Sequence, residues 1–269
     1  MKFGIFVHPH RPKVSVEQIA MQIQSAGLLY CQNESDIAIV VGGDGTFGYF
    51  GRILAVPMLF VGVKETDMLG SKARLAETTY DFLDKALQDI DAGNYTVTEK
   101  RMLSVSFGGQ NSDVLTDVYL ERGEFAGCIR YSIQVSNGHS PFSEYAIGNG
   151  VIVSTSYGST GYYSYPDRLK SKRCVQDRSS TARFSDNRMG ICHIIPTHLI
   201  RERNGRRYLT NKIQYTVPID CQIQLKLVRD ANVRLYGTTH ESKGKKVLLN
   251  DKISISASKR IAKIIKLRA

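Results

Sequence analysis

The chain has 269 residues, of which 42% are hydrophobic and 23% charged, and its formal net charge is +11 at pH 7. This composition excludes a disordered or fibrous chain and is typical of a globular protein with about two domains. Because no apolar run approaches the ~18 residues of a membrane span and the N-terminus has no signal-peptide pattern, we expect a cytoplasmic protein without a membrane partner.

The first hundred residues alternate predicted strands with predicted helices. Short apolar strands are predicted at residues 3–7 (FGIFV), 37–41 (IAIVV) and 57–63 (PMLFVGV). Apolar residues recur at helical spacing over 19–23 and again over 75–90. The alternation predicts an α/β domain over residues 1–98, in which helices cover both faces of a parallel sheet.

The remainder of the chain has a different pattern. From residue 99 onward, short segments rich in β-branched residues are separated by Gly, Asn or Asp. This spacing predicts an all-β domain over residues 99–269, either a sandwich or layered sheets. Residues 166–190 carry seven Lys and Arg against three Asp and show no clear period. We therefore predict a long loop there.

Residues 37–48, IAIVVGGDGTFG, place a glycine-rich turn directly after a predicted strand. The G-x-G-x-x-G spacing matches a dinucleotide fingerprint, in which backbone N–H groups and a helix N-terminus hold a pyrophosphate. Glu65 or Asp67 supplies the acidic residue that this fingerprint needs about twenty positions further on. Asp44 argues against it, because a carboxylate would repel the pyrophosphate. The same carboxylate suits a phosphate loop that binds a cation or deprotonates a hydroxyl.

A second segment, GNGVIVSTSYGSTGYY at 148–163, places a turn rich in hydroxyls and glycine after another predicted strand. Its Ser and Thr side chains supply hydrogen-bond donors, and its glycines permit close approach to the backbone. Tyr157 and Tyr162 offer rings that can stack on a base or a nicotinamide. A Ser/Gly hairpin turn without a ligand is the alternative interpretation of this segment.

GGDGT on a strand–turn–helix, followed by TSYGSTGY more than a hundred residues later, resembles the two signatures of the NAD kinases, GGDGT and TP[TS]GSTAY. Looser similarities lie at residues 62–70, 101–103, 114–118 and 190–199. The resemblance implies the two-domain NAD kinase-like architecture. It also implies transfer of the terminal phosphoryl group of ATP, or of polyphosphate, to the 2′-hydroxyl of the NAD adenosine ribose, which gives NADP. ATP and a divalent cation such as Mg²⁺ are the expected cofactors, and a homodimer or homotetramer is implied.

The resemblance also implies roles for individual residues. Asp44 aligns with the family's proposed base; whether it takes a proton or orients a cation stays open. The phosphate-binding positions are Gly42, Gly43, Gly45 and Thr46. The substrate-binding positions are Thr116, Asp117, Asn149, Tyr157, Thr160, Gly161 and Tyr162. No residue of the chain is assigned as a dedicated metal ligand.

The chain departs from the family at several substrate positions. Thr116 stands where the family has Asn, Asn149 replaces Asp, and Tyr157 replaces a small residue. The family's SAGGP continuation is absent, and its DGQ segment reads Tyr236-Gly237-Thr238. The glycine-rich phosphate loop is thus retained better than the NAD pocket. Phosphoryl transfer remains the main expectation, with a different hydroxyl acceptor as an alternative.

Other hypotheses remain open beside the kinase. A nicotinamide-dependent oxidoreductase would depend on Glu65 or Asp67, and a non-catalytic nucleotide-binding protein would bind its ligand without turnover. The basic stretches 166–190 and 259–268 do not interleave aromatic residues as a single-strand platform does, so nucleic acid is not the expected partner. The first stretch is either a solvated face or a group of cations that neutralises ATP.

Overall fold

The computed structural model describes residues 1–8, 14–63, 73–124, 127–136, 141–171, 183–239 and 243–268. The chain divides into unit 1, formed by Met1–Lys100 with Ile261–Ala269, and unit 2, formed by Arg101–Arg260. Over the described ranges, none of the helices combines the length and the apolar character that a membrane crossing requires.

Unit 1 is built on a parallel sheet. Its strands are β1 (Lys2–Val7), β2 (Leu29–Tyr30), β3 (Ile37–Gly42), β4 (Met58–Gly62) and β5 (Thr78–Thr79). Its helices are α1 (Val16–Ser25), α2 (Asp44–Ile53) and α3 (Leu83–Asp91), and a 3-10 turn at Tyr80–Phe82 leads into α3. The strand order is β2-β1-β3-β4, and β5 also pairs with β4; all of these pairs are parallel.

The helices of unit 1 cover both faces of this sheet. On one face, Ile39 belongs to a buried core cluster with Ile23 of α1 and Leu87 of α3. On the other face, the ring of Phe60 in β4 stacks on Phe47 of α2, with centroids 4.5 Å apart. Side chains alternate across a strand, so neighbouring apolar residues of one strand serve both faces. The predicted parallel sheet with helices on both faces is confirmed.

The second predicted helix is shorter than its apolar period indicated. Helical structure begins at Tyr80, whereas Leu75 lies in a turn and its N–H donates to Oδ1 of Asp44 at 2.9 Å. Thr78–Thr79 pairs with β4, so sheet hydrogen bonds hold part of the segment that the spacing had assigned to a helix. The predicted end is correct, because Gly93 follows α3 with φ +74°.

Unit 2 is almost entirely β-structure. Its strands are β6 (Tyr95–Phe107), β7 (Gln110–Val114), β8 (Asp117–Arg122), β9 (Ile129–Ser136), β10 (Phe142–Gly148), β11 (Gly150–Ser154), β12 (Arg188–Ile194), β13 (His198–Arg203), β14 (Arg206–Leu209), β15 (Gln214–Pro218), β16 (Gln222–Leu227), β17 (Val233–Tyr236), β18 (Lys245–Val247) and β19 (Ile253–Leu267). The chain enters unit 2 within β6 and leaves it within β19. A short helix, α4 (Tyr165–Ser171), lies where a loop was predicted.

Two antiparallel sheets enclose the core of unit 2. The first sheet has the order β14-β13-β10-β9-β16-β19, and the second has the order β15-β12-β11-β8-β17-β18. Ile133 and Leu225 of the first sheet share one buried cluster with Val151 and Ile191 of the second. The hairpin of β6 and β7 also contributes to this cluster through Leu103. The all-β region predicted for the second part of the chain is confirmed.

The C-terminal strand contributes to both units. Ile261–Ala269 belongs to unit 1, whereas the predicted range 99–269 assigned these residues to the β domain. Ile264 pairs in parallel with Met58 of β4, and the fully buried Ile265 belongs to the core of unit 1. The alternation of apolar residues along a strand does not indicate which sheet the strand joins, and the sequence therefore could not locate this boundary.

We predict that Ile265→Ala destabilises unit 1 by about 2–5 kcal/mol, because it leaves a cavity in a closed core. The matched control is Ile261→Ala in the same strand, where the side chain is 45% exposed. The control should cost less than about 1 kcal/mol, since it loses only strand propensity. Urea unfolding of both variants measures the difference, and equal losses would contradict the placement of Ile265 in the core.

Candidate functional site

The glycine-rich turn of unit 1 connects strand β3 to helix α2. Gly43 is the N-cap of α2, and no side chain accepts a hydrogen bond from the first turn there. The first intrahelical bond of the turn runs from the N–H of Phe47 to the carbonyl of Gly43 at 3.1 Å. Gly45 is exposed, and a Cβ at this position would meet nothing within 4 Å. The helix therefore presents N–H groups and the positive end of its dipole to an approaching anion.

Close packing at the end of β3 explains a further glycine of the turn. Gly42 has φ +155°, and a Cβ there would lie 2.6 Å from Oγ1 of Thr46. Thr46 is itself buried below the turn, at 7% exposure. Its side chain therefore fixes the turn from inside the protein, and its main chain is the part available for the predicted contact with phosphate.

Asp44 is the acidic residue in the first turn of α2. Its side chain is half-buried, and Oδ1 accepts the hydrogen bond from the N–H of Leu75. The N-terminus of a helix stabilises a carboxylate, so the charge is favoured where the sequence places it. The bond to Leu75 holds the carboxylate in one orientation. Glu65 and Asp67, on which the oxidoreductase alternative depends, lie outside the described residues.

In unit 2 the hydroxyl-rich turn follows β11 and packs against the start of β8. The carbonyl of Thr116 accepts hydrogen bonds from the N–H of Thr155 at 2.8 Å and from its Oγ1 at 3.0 Å. Gly158 lies directly against the same carbonyl, since a Cβ there would be 2.3 Å from it. The main chain of Thr116 is therefore the support on which the turn is built.

The turn also packs around Asp117, the first residue of β8. The N–H of Tyr162 donates a hydrogen bond to the carboxylate, and a Cβ at Gly161 would lie 3.5 Å from Oδ2. Burial raises the pKa of Asp117 from the ordinary 3.8 to about 7, and the bond from Tyr162 opposes this rise. Close to neutral pH, this group therefore exists both as a hydrogen-bond donor and as a charged acceptor.

Three tyrosines form a continuous aromatic group beside Asp117. The edge of Tyr162 meets the ring of Tyr119 with centroids 5.3 Å apart, and Tyr119 stacks on Tyr236 at 5.0 Å. The hydroxyl of Tyr162 donates to Oε1 of Glu121 at 3.2 Å, so this phenol is held within unit 2. Sequence reasoning missed Tyr119 and Glu121, although alternation along β8 places both on the same side as Asp117.

Asn149 lies away from these groups within unit 2. Its N–H donates to the carbonyl of Ile194 at 2.8 Å, and its carbonyl accepts from the N–H of Arg122 at 3.0 Å. The next residue, Gly150, has φ +149° and leaves no room for a Cβ. Since β11 separates Asn149 from the hydroxyl-rich turn, the two lie at opposite ends of one strand, roughly 17 Å apart. Within unit 2, the structure therefore does not bring this predicted site residue to the other predicted substrate positions.

The remaining predicted positions serve the turn itself. The carbonyl of Thr160 accepts a hydrogen bond from the hydroxyl of Ser164 at 3.0 Å, and Tyr157 is half-buried in the turn. In the basic stretch, Arg168 donates to the carbonyl of Gly161 at 2.5 Å. Residues 172–182 of that stretch lie outside the described residues. The contact of Arg168 favours a structural role for this cation rather than contact with ATP.

Part of the chain is similar in sequence to curated NAD kinases. No protein-family model matches the chain. It is 33% identical to an NAD kinase of Magnetococcus marinus over 133 residues, which are 47% of this chain and 42% of that protein. It is 35% identical to an NAD kinase of Geobacter sulfurreducens over 136 residues, 48% of this chain and 45% of that protein. The chain thus spans about half the length of the curated relatives it matches.

Solved structures extend the likeness to the whole chain. An NAD kinase from Archaeoglobus fulgidus, in complex with ATP, matches with a TM-score of 0.61 at 16% identity, covering 100% of this chain and 94% of that one. Yeast NADH kinase, complexed with NADH, matches with a TM-score of 0.64 at 14% identity, covering 100% and 83%. The molecule therefore shares the two-domain fold of these two proteins. That fold is the NAD kinase fold, and the resemblance seen in the sequence is confirmed.

We predict that the carboxyl group of Asp117 titrates with a midpoint near pH 7 in the folded protein. Because this pKa is raised above the unfolded value, the contribution of Asp117 to stability is complete below about pH 4 and is lost as the pH rises through 7. Carbon-13 NMR of the side-chain carboxyls measures the midpoint, and Asp117→Asn assigns the resonance by removing it. A midpoint below pH 5 would contradict this prediction, because burial would then not raise the pKa of the Asp117 carboxyl.

Proposed function

We propose that this protein is an ATP-dependent kinase that phosphorylates the 2′-hydroxyl of the NAD adenosine ribose to give NADP. The observation that carries the proposal is the uncapped N-terminus of α2, with Asp44 in its first turn and glycine on either side. The likeness to an NAD kinase in complex with ATP and to an NADH kinase complexed with NADH supports the same reaction. The proposed place of action is the cytoplasm.

Phosphate binding is assigned to the turn between β3 and α2. The main-chain N–H groups of Gly43, Gly45 and Thr46 provide donors that need no rearrangement to meet an anion. Gly42 allows the turn to pack closely on Thr46. Because a phosphoryl transition state requires charge stabilisation and positioning above all, a rigid set of dipoles suits this chemistry.

Asp44 is assigned as the general base. It accepts the proton of the acceptor hydroxyl while the hydroxyl oxygen forms a bond to the terminal phosphorus of ATP. The bond from that phosphorus to the bridging oxygen breaks, and ADP leaves with the electron pair. The hydrogen bond from Leu75 keeps the carboxylate in place during this transfer, since it restricts rotation of the side chain.

A divalent cation fits the residues of this loop as a companion of ATP. Among the described residues, no group of three His, Cys, Asp or Glu is arranged to hold a metal. Kinase Mg²⁺ is typically bound by one or two carboxylates together with substrate phosphates. Asp44 is the carboxylate that would contribute here, and the bound ion would neutralise charge on the phosphates.

Acceptor binding is assigned to groups of unit 2. Asp117, in its protonated form, donates a hydrogen bond to a ring nitrogen, and the group of Tyr119, Tyr162 and Tyr236 offers an aromatic surface for a base. The hydroxyl-rich turn with Tyr157, Thr160 and Gly161 completes this part of the site.

A homodimer or homotetramer is part of the proposal. Asn149 lies at the opposite end of β11 from the hydroxyl-rich turn, as expected if it serves the acceptor bound to a second copy of the chain.

A related kinase with another hydroxyl acceptor is the second candidate. It is favoured by Thr116, which has no side-chain amide to pair with an adenine edge. An ATP-consumption screen against NAD, NADH, sugars, nucleosides and lipids separates the candidates. Turnover with NAD supports the proposal, and turnover with another class alone supports the second candidate. Saturable ATP binding without turnover would identify a non-catalytic nucleotide-binding protein.

We predict that Asp44→Asn lowers turnover by roughly 10²–10⁴-fold, because the amide cannot accept the proton. The melting temperature should change little, since the Asn oxygen still accepts the bond from Leu75. The matched control is Asp84→Asn in the first turn of α3, which should leave turnover unchanged. Steady-state kinetics and thermal unfolding measure both effects, and near wild-type turnover in Asp44→Asn would exclude it as the base.

A further inference from the structure

Unit 2 contains a buried polar network that the proposed reaction does not use. At its centre are Glu144 of β10 and His193 of β12, whose side chains have no exposed area. The Oε2 atom of Glu144 lies 2.9 Å from Nε2 of His193 and also accepts a hydrogen bond from the hydroxyl of Tyr215. Oε1 accepts from Nε of Arg201 at 2.7 Å. The network therefore connects β10 of the first sheet with β12 of the second, between the faces that the two sheets turn towards each other.

The other nitrogen of His193 continues the network to Tyr131. Nδ1 lies 2.8 Å from the hydroxyl of Tyr131, and this hydroxyl lies 2.6 Å from the carbonyl of Gly150. A carbonyl cannot donate, so the single phenolic proton of Tyr131 goes to Gly150. The ring nitrogen Nδ1 of His193 contacts this hydroxyl from the other side.

The same reasoning applies to Nε2. Burial alone would raise the pKa of the Glu144 carboxyl, but hydrogen bonds from His193 and Tyr215 and the charge of Arg201 hold the pKa below its ordinary value. Glu144 is therefore a carboxylate, which can only accept, and Nε2 must carry a proton. The ring of His193 therefore connects the Glu144 carboxylate to the hydroxyl of Tyr131.

The other neighbours of Glu144 and His193 complete the network. Arg201 closes the network on one side, with its guanidinium 4.6 Å from the ring centroid of Tyr215 and 4.7 Å from that of Phe142. On the other side lie the thiol of Cys192 and the hydroxyl of Tyr165, which donates to the carbonyl of His193 at 2.7 Å. A buried ion pair adds little stability over an apolar core, so its presence calls for a specific role.

That role follows from the carbonyl at the end of the network. Gly150 directly follows Asn149, whose own N–H and carbonyl are already bonded to neighbouring strands. The hydroxyl of Tyr131 donates a hydrogen bond to the carbonyl of Gly150. The N–H of Asn149, the carbonyl of Asn149 and the carbonyl of Gly150 therefore each have a hydrogen-bond partner. Gly150 itself has φ +149°, which a residue with a side chain rarely adopts, so the main chain can take this course only with glycine here.

We propose that His193 is a positioning residue of the acceptor site, which is held by Glu144 and acts through Tyr131 to hold the main chain at Asn149-Gly150. The inference rests on the proposed function only in that Asn149 contacts the acceptor. The support of the main chain at Asn149-Gly150 stands on the geometry alone.

Tyr131→Phe tests the proposal, because it removes only the hydroxyl that binds the carbonyl of Gly150. The Michaelis constant for NAD should rise roughly 5–10-fold while kcat changes less than about two-fold, as expected when a binding contact is misplaced. The matched control is Tyr163→Phe, which also removes a buried hydroxyl that donates to a main-chain carbonyl, that of Tyr215 at 3.2 Å. The control should change both constants less than about two-fold. Equal effects of the two variants on KM overturn the positioning role.

The test remains decisive if the wild type does not phosphorylate NAD. That result contradicts the proposed function, and hydrogen exchange of the Asn149 amide then replaces the Michaelis constant. Exchange should be faster in Tyr131→Phe than in Tyr163→Phe, since only the first variant releases the bend. Equal exchange rates overturn the inference.

Discussion

The absence of a side chain at Gly42 is the constraint on which the candidate phosphate site depends. Any Cβ there would overlap Thr46, and the helix would have to move away from the end of β3. With glycine in place, α2 begins immediately after the strand, and its first N–H groups are free of a side-chain cap. Asp44 then occupies the first turn, where the helix dipole favours its charge. The lack of a side chain at Gly42 thus fixes the position of both the first N–H groups of α2 and the carboxylate of Asp44.

In unit 2, side-chain hydroxyls hold the main chain at the candidate site by donating hydrogen bonds to its carbonyls. Thr155 bonds the carbonyl of Thr116, and Tyr131 bonds that of Gly150. Thr116 directly precedes β8, and Gly150 is the first residue of β11. Buried carbonyls require partners, and these hydroxyls provide them while fixing the local bend.

The sequence predicted the features that depend on local pattern. Continuous apolar runs indicated β1, β3 and β4, and the glycine spacing indicated the turn before α2, because both signals lie within a few residues. Pairings between distant strands could not be predicted in the same way. Glu144 and His193 are 49 residues apart and meet only through the register of two sheets. The pairing of Ile264 with β4 likewise depends on a strand that is distant in sequence. The alternation of apolar residues does not indicate which strand will be the partner.

The central claim is that the phosphoryl group of ATP reaches the 2′-oxygen of NAD. Phosphorus-31 NMR of the purified protein with ATP, Mg²⁺ and NAD tests it most directly, because the transferred group can be followed from one chemical environment to another. The account predicts loss of the terminal resonance of ATP together with equal growth of a 2′-phosphomonoester resonance of NADP. Growth of inorganic phosphate alone, or no change in the ATP resonances, would contradict it.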